Sequence, residues 1–186
     1  MEILVIGLVI FFGIHLIPAA PELHGRLKAR MGAHGWKGFM ALIAIAGFAM
    51  IVLGWQRAPF APVYTPPAFG HWLPRIVMLP ALILLAAAYM PSNIKRFTRH
   101  PMLWATVLWA VAHLFANGDL RSLLLFGSFL IWALFDMWSA NRRGAYLSEQ
   151  RIAWFYELAV IAAGVVTYAL LARFHGTLFG VPVMAG

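Results

Sequence analysis

The stretch Pro101-Met102-Leu103-Trp104-Ala105-Thr106-Val107-Leu108-Trp109-Ala110-Val111-Ala112-His113-Leu114-Phe115-Ala116-Asn117-Gly118-Asp119-Leu120-Arg121-Ser122 decides the fold. Its first part, Pro101–Ala116, carries no Asp, Glu, Lys or Arg. Proline is favoured in the first helical turn, where its missing N–H costs nothing. Asn117-Gly118-Asp119 then reads as a turn, because Asn-Gly permits positive φ. A second apolar run, Ser122–Ala140, follows at once. Two apolar runs with so short a join form an antiparallel helical hairpin. A membrane crossing needs about 20 mostly apolar residues. Working outward, four more runs are of this kind: Ile3–Ala20, Trp36–Trp55, Leu73–Met90 (which contains Pro80) and Ala153–Arg173. Strand-type alternation is absent, which argues against a β-barrel. The expectation is an all-α, polytopic membrane bundle of about six transmembrane helices, forming a single integral-membrane domain over residues 1–186.

Composition supports this. Of 186 residues, 63% are hydrophobic and 11% charged. A soluble domain is about half apolar and about a quarter charged, so lipid must be the solvent for much of this surface. With no cysteine, disulfides, thiolate chemistry and Fe–S clusters are excluded. The net charge of +8 does not form a clustered basic face, so no nucleic-acid partner is expected.

The basic residues fall in the gaps between runs. Arg26, Lys28, Arg30, Lys37, Lys95, Arg96, Arg99, Arg142, Arg143 and Arg151 lie in alternate loops; Arg57, Arg75, Arg121 and Arg173 lie on the opposite side. The positive-inside rule places the first group in the cytoplasm and both termini outside it. Trp36, Trp55, Trp72, Trp104, Trp138 and Trp154 are expected at the interfaces. The first run is read as a retained helix, because a signal peptide has a basic start and no Lys or Arg precedes Arg26. The proline-rich loop from Gln56 to Trp72 is expected to be an ordered cap.

Ionisable groups within a span are costly and mark candidate sites. His24, His34, His71, His100 and His175 fall in loops or at interfaces, where solvated roles are expected. His15 and His113 are flanked by apolar residues in different runs. One reading has each bonding a neighbouring helix. The other makes them a ligand pair. Counted from Arg26 and Arg99, they lie about 16 Å and about 21 Å deep, roughly one level. Two neutral imidazoles suit the iron of a b-type haem. Phe11 and Phe12 precede His15 by one turn, and Ala110 and Ala116 flank His113. Phe11, Phe12, Trp109 and Asn117 complete the expected ring contacts, with Arg26, Lys95 and Arg99 as propionate partners and Arg75 or Arg121 serving an inverted ring. Arg99-His100-Pro101 opens a helix and attracts an anion: a lipid phosphate, a propionate or a nucleotide-cofactor carboxylate. Asp136 and Glu157 are expected to pair with Arg142, Arg143, Arg151 or Lys37.

Several separated motifs carry a family resemblance. They are Phe12-Gly13-Ile14-His15, Trp36-Lys37-Gly38, Tyr64-Thr65-Pro66-Pro67, Arg99-His100-Pro101, Ala112-His113-Leu114-Phe115-Ala116-Asn117-Gly118-Asp119 and Leu123-Leu124-Leu125-Phe126-Gly127-Ser128-Phe129. In this order they resemble the NnrU family of bacterial membrane proteins over nearly the whole chain. That resemblance implies a bacterial inner-membrane location and a link to denitrification, with a nitrogen oxide or a hydrophobic small molecule as partner. The NnrU family is in turn similar to plant zeta-carotene isomerase, which uses haem b and two histidines. This likeness implies haem b here, with His15 and His113 as iron ligands, and, if the chain is an enzyme, isomerase or redox chemistry. Arg-His-Pro at a helix start also resembles isoprenylcysteine carboxyl methyltransferases. Trp104-Ala105 departs from that pattern, and no paired acidic motif follows the fifth run. A non-catalytic respiratory assembly factor is the remaining alternative.

Overall fold

The computed structural model describes residues 1–183 and is all-helical. Six helices follow in order: α1 (Glu2–Leu16), α2 (Pro21–Arg57), α3 (Leu73–Tyr89), α4 (Pro101–Ala116), α5 (Leu120–Arg142) and α6 (Trp154–Phe179). Single 3-10 turns, Ile17–Ala19 and Asn93–Arg96, precede α2 and α4. The chain divides into two compact units, Met1–Ala61 and Pro62–Gly186. Four stretches are long and apolar enough to cross a bilayer: Glu2–Ala19, Pro21–Arg57, Leu120–Arg142 and Trp154–Phe179. Helices α3 and α4 are apolar but only 17 and 16 residues long, about 26 Å and about 24 Å against a hydrocarbon core of about 30 Å. Side chains on the long shafts face outward: Val9, Leu42 and Ile45 are each 66% exposed and Ile131 70%. Lipid is the solvent that such surfaces need.

In the first unit α1 packs along α2. The approach is close because glycines face the partner backbone: a Cβ on Gly7 would sit 2.7 Å from the Ile51 nitrogen, and one on Gly47 2.8 Å from the Phe11 nitrogen. Small residues at such crossings let helices meet without a hydrophobic driving force. The sequence expectation ended the first run near Ala20 and left residues 21–35 as a loop. Instead the chain is helical from Pro21, with a break at Gly32, where φ is 72°. Only glycine adopts that value without strain. Trp36 is 3% exposed, its ring packed beside His24 and Phe39.

In the second unit α6 packs on α3, α3 on α4, and α4 on α5. The expected α4–α5 hairpin is present, with Leu103, Val107, Ala133 and Met137 forming its core. The two short helices are closed by ordered loops. At one end, Val63 and Tyr64 N–H groups both donate to the Gly118 carbonyl, at 2.8 and 3.0 Å. The Tyr64 hydroxyl is shared between the carbonyls of Leu114 and Asn117. The proline loop is therefore an ordered cap, as expected. Gly118 does not have positive φ; its reason is proximity, since a Cβ there would collide with the Tyr64 carbonyl. Asp119 caps α5, accepting from Ser122 N (3.2 Å) and Ser122 Oγ (2.6 Å). At the other end Asp136 pairs with Arg143 at 3.6 Å, as expected. Glu157 does not pair with a basic residue in the way expected. It accepts from Ser92 Oγ at 3.0 Å and from the Asn93 N–H, and so pins the α3–α4 connection to α6.

Candidate functional site

The second unit contains a cavity of about 320 Å³, within the size range of small-molecule sites. Helical periodicity builds its walls. Arg75, Met78, Leu82 and Leu85 lie on one face of α3; Thr106, Trp109 and His113 on one face of α4; Tyr168, Leu171, Ala172, His175 and Phe179 on one face of α6. These spacings of three and four residues make a stripe. Phe129 of α5 closes the remaining side. The lining is mainly apolar, with Arg75, Thr106, His113, Tyr168 and His175 as its polar side chains.

His113 is the chemically distinctive wall. Its Nδ1–H donates to the Trp109 carbonyl one turn back, at 2.8 Å. A carbonyl only accepts, so the proton is on Nδ1 and the lone pair is on Nε2. The ring stacks on Phe126 with centroids 4.7 Å apart and planes 28° apart, and Trp109 meets Phe126 and Phe129 edge-on. Asn117 donates from Nδ2 to the His113 carbonyl at 2.9 Å. It thus closes the C-terminal end of α4 under the histidine.

His15, in the first unit, repeats the device. Its Nδ1 donates to the Phe11 carbonyl at 2.6 Å, and the two rings are 4.2 Å apart. Phe12 stands edge-on to Phe11. The expected trio of Phe11, Phe12 and His15 is therefore one local cluster. Arg26 lies in the helical arm before Gly32, its Nε donating to the Glu22 carbonyl.

Arg99 and Lys95 are not at the His113 cavity. They line a second one of about 440 Å³, with His100, Asp136, Tyr146 and Ser148. It sits where α3 ends and α4 begins, whereas His113 lies near the end of α4. Lys95 Nζ donates to the Met90 carbonyl at 3.0 Å, and Asn141 Oδ1 faces His100 Nε2 at 2.9 Å and Arg99 at 3.5 Å. His100 is the N-cap of α4 and Pro101 its first residue, as the sequence implied.

The sequence reading missed His175, Tyr168 and Phe126 as neighbours of His113, and named Arg75 only as a propionate partner for an inverted ring. It ended the sixth run at Arg173 and so assigned His175 to an interface; α6 continues to Phe179. The signal was present in the spacing, since His175 follows Tyr168 by seven residues and shares its face.

Comparison with known proteins gives one result. The family model described as NnrU protein matches residues 3–183. No curated protein and no solved structure matches the chain.

Proposed function

The chain belongs to the NnrU family, and from that premise we propose that it is a membrane haem b protein in which His113 ligates the iron. The observation that carries this reading is the His113 ring, held with Nδ1–H on the Trp109 carbonyl at the wall of an apolar cavity. Haem iron takes a neutral imidazole, and a carbonyl that accepts from the other ring nitrogen fixes the tautomer and makes the ligand nitrogen more basic. The residues present fit the group: the donor is oriented, its ring is stacked on Phe126, and the lining is mainly apolar. The sequence names His15 as the second ligand, and the same hydrogen bond to an i−4 carbonyl supports it.

Bound haem supplies a one-electron iron centre. The chain's own part is to orient the imidazole and admit a second molecule of compatible polarity. The apolar walls favour a hydrophobic small molecule, such as a polyene undergoing cis–trans isomerisation, over a nitrogen oxide alone. The link to nitrite and nitric oxide metabolism rests on the family likeness. The proposed setting is the cytoplasmic membrane of a bacterium, with both termini on its outer side.

The test is an absorption spectrum of protein produced with ample haem and purified in mild detergent. Reduced protein should show the sharp α and β bands of low-spin bis-imidazole haem. His113→Ala and His15→Ala should each give five-coordinate or missing haem. A folded, colourless wild-type protein rejects the reading; a spectrum unchanged in both variants keeps haem and rejects these ligands.

A further inference from the structure

The wall of the His113 cavity holds a charge that none of the described residues answers. Arg75 is the only Lys or Arg on it, and no Asp or Glu lines it, among the described residues. The guanidinium lies over the Trp72 ring, 4.6 Å from its centroid. Among the described residues, no carboxylate pairs with it and no other group accepts a hydrogen bond from it. Stacking on an aromatic face fixes the plane of a guanidinium and leaves its N–H edge available for a fork to a carboxylate. The backbone below is anchored as well: the Arg75 carbonyl accepts from the Tyr168 hydroxyl at 2.8 Å, tying the first turn of α3 to α6. Arg75 is in that first turn, where unsatisfied N–H groups and the helix dipole favour an anion.

A cation beside an apolar cavity loses solvation that an incoming anion restores. One guanidinium matches one planar, singly charged group; a phosphate ester, with up to two charges, would call for a second cation that the lining lacks. We propose that this cavity takes an apolar molecule ending in a carboxylate, and that Arg75 binds the carboxylate. The inference rests on reading the His113 cavity as a ligand site. Two sources share the chemistry: a porphyrin propionate, or the carboxylate of a long-chain or polyene acid. If the source is a propionate, the ring is held from the end of the unit where α3 begins, and not by Lys95 and Arg99 at the other end.

The experiment compares acid and ester forms of each source on the full chain in nanodiscs. Haem b and its dimethyl ester are titrated through the Soret band; all-trans-retinoate and methyl retinoate are titrated by tryptophan quenching without haem. Wild-type protein should bind at least one acid about tenfold or more tightly than its ester, the order expected for a charge-assisted fork. Arg75→Gln should remove that preference and leave ester affinity unchanged. Arg75→Lys should retain part of it, which separates charge from folding, and Arg151→Gln should change nothing. A preference for haem b identifies a propionate. A preference for retinoate in protein that binds no haem identifies a long-chain acid, sinking the haem reading while this one stands. Equal binding of acid and ester for both sources overturns the proposal. So does a preference that survives Arg75→Gln, or one that Arg99→Gln removes instead.

Discussion

Tyr64 shows how much one side chain holds at this protein's proline loop. Its hydroxyl serves the carbonyls of Leu114 and Asn117 at the end of α4, groups that a helix terminus leaves without partners. Tyr64→Phe should cost about 1–2 kcal/mol, visible as a lower Tm and faster proteolysis at Pro62–Trp72. An unchanged Tm would mean that the two backbone bonds to Gly118 suffice. The phenol's pKa is raised above 10, by burial first and by the Asp119 charge second. The folded chain therefore holds this proton more tightly than the unfolded chain. The clamp's contribution is complete below pH 10 and falls as pH rises through the folded pKa. Spectral titration at the tyrosinate band should show one phenol ionising late, and Tyr64→Phe should delete it. At His113 and His15 the residue type was legible in the sequence, because an ionisable group inside an apolar run stands out. Which ring nitrogen is engaged was not, since that depends on where the i−4 carbonyl points.

At the level of elements, two contacts are limiting. In the first unit a Cβ on Gly54 would collide with the Leu4 backbone and sit 2.8 Å from the Ile3 carbonyl carbon. Gly54→Ala should therefore separate α1 from α2, lowering Tm and exposing the Phe11–His15 cluster to chemical modification. Normal stability would show that the helices slide at low cost. In the second unit Ala112 of α4 is completely buried. Ala112→Leu adds three carbons where there is no room, and overpacking of this kind costs about 1–3 kcal/mol. Purification yield and thermal melting measure it; wild-type behaviour would place that face against lipid. The periodic apolar runs fixed the identity of these helices in advance, and α4 begins and ends where the sequence placed it. The start of α2 and the end of α6 were misplaced. A polar, charged stretch such as Leu23–Arg30 carries no apolar period to read, yet it continues as helix up to Gly32.

Over the whole molecule, the basic residues set the expected orientation. Ten of the 14 Lys and Arg residues lie in or beside alternate gaps between the apolar runs of the sequence, so reporter fusions after Arg30, Arg99 and Arg143 should behave as cytoplasmic and one near Pro66 as external. A cytoplasmic Pro66 fusion overturns both the orientation and the outward placement of the termini. What the sequence determined by itself was the solvent and the class: apolar runs of helix-spanning length exclude a soluble fold, and strand alternation is missing. It also singled out His15 and His113, because local chemistry is written along the chain. What only the tertiary structure decided was which distant residues share a cavity. Arg75, His113 and His175 come together because α3, α4 and α6 each turn one stripe inward, whereas Lys95 and Arg99 are carried to the other end of α3 and α4. A stripe can be read from spacing; the partner that it faces depends on how neighbouring helices pack, and packing is settled by contacts such as Gly164 against Ile83, which no single segment contains.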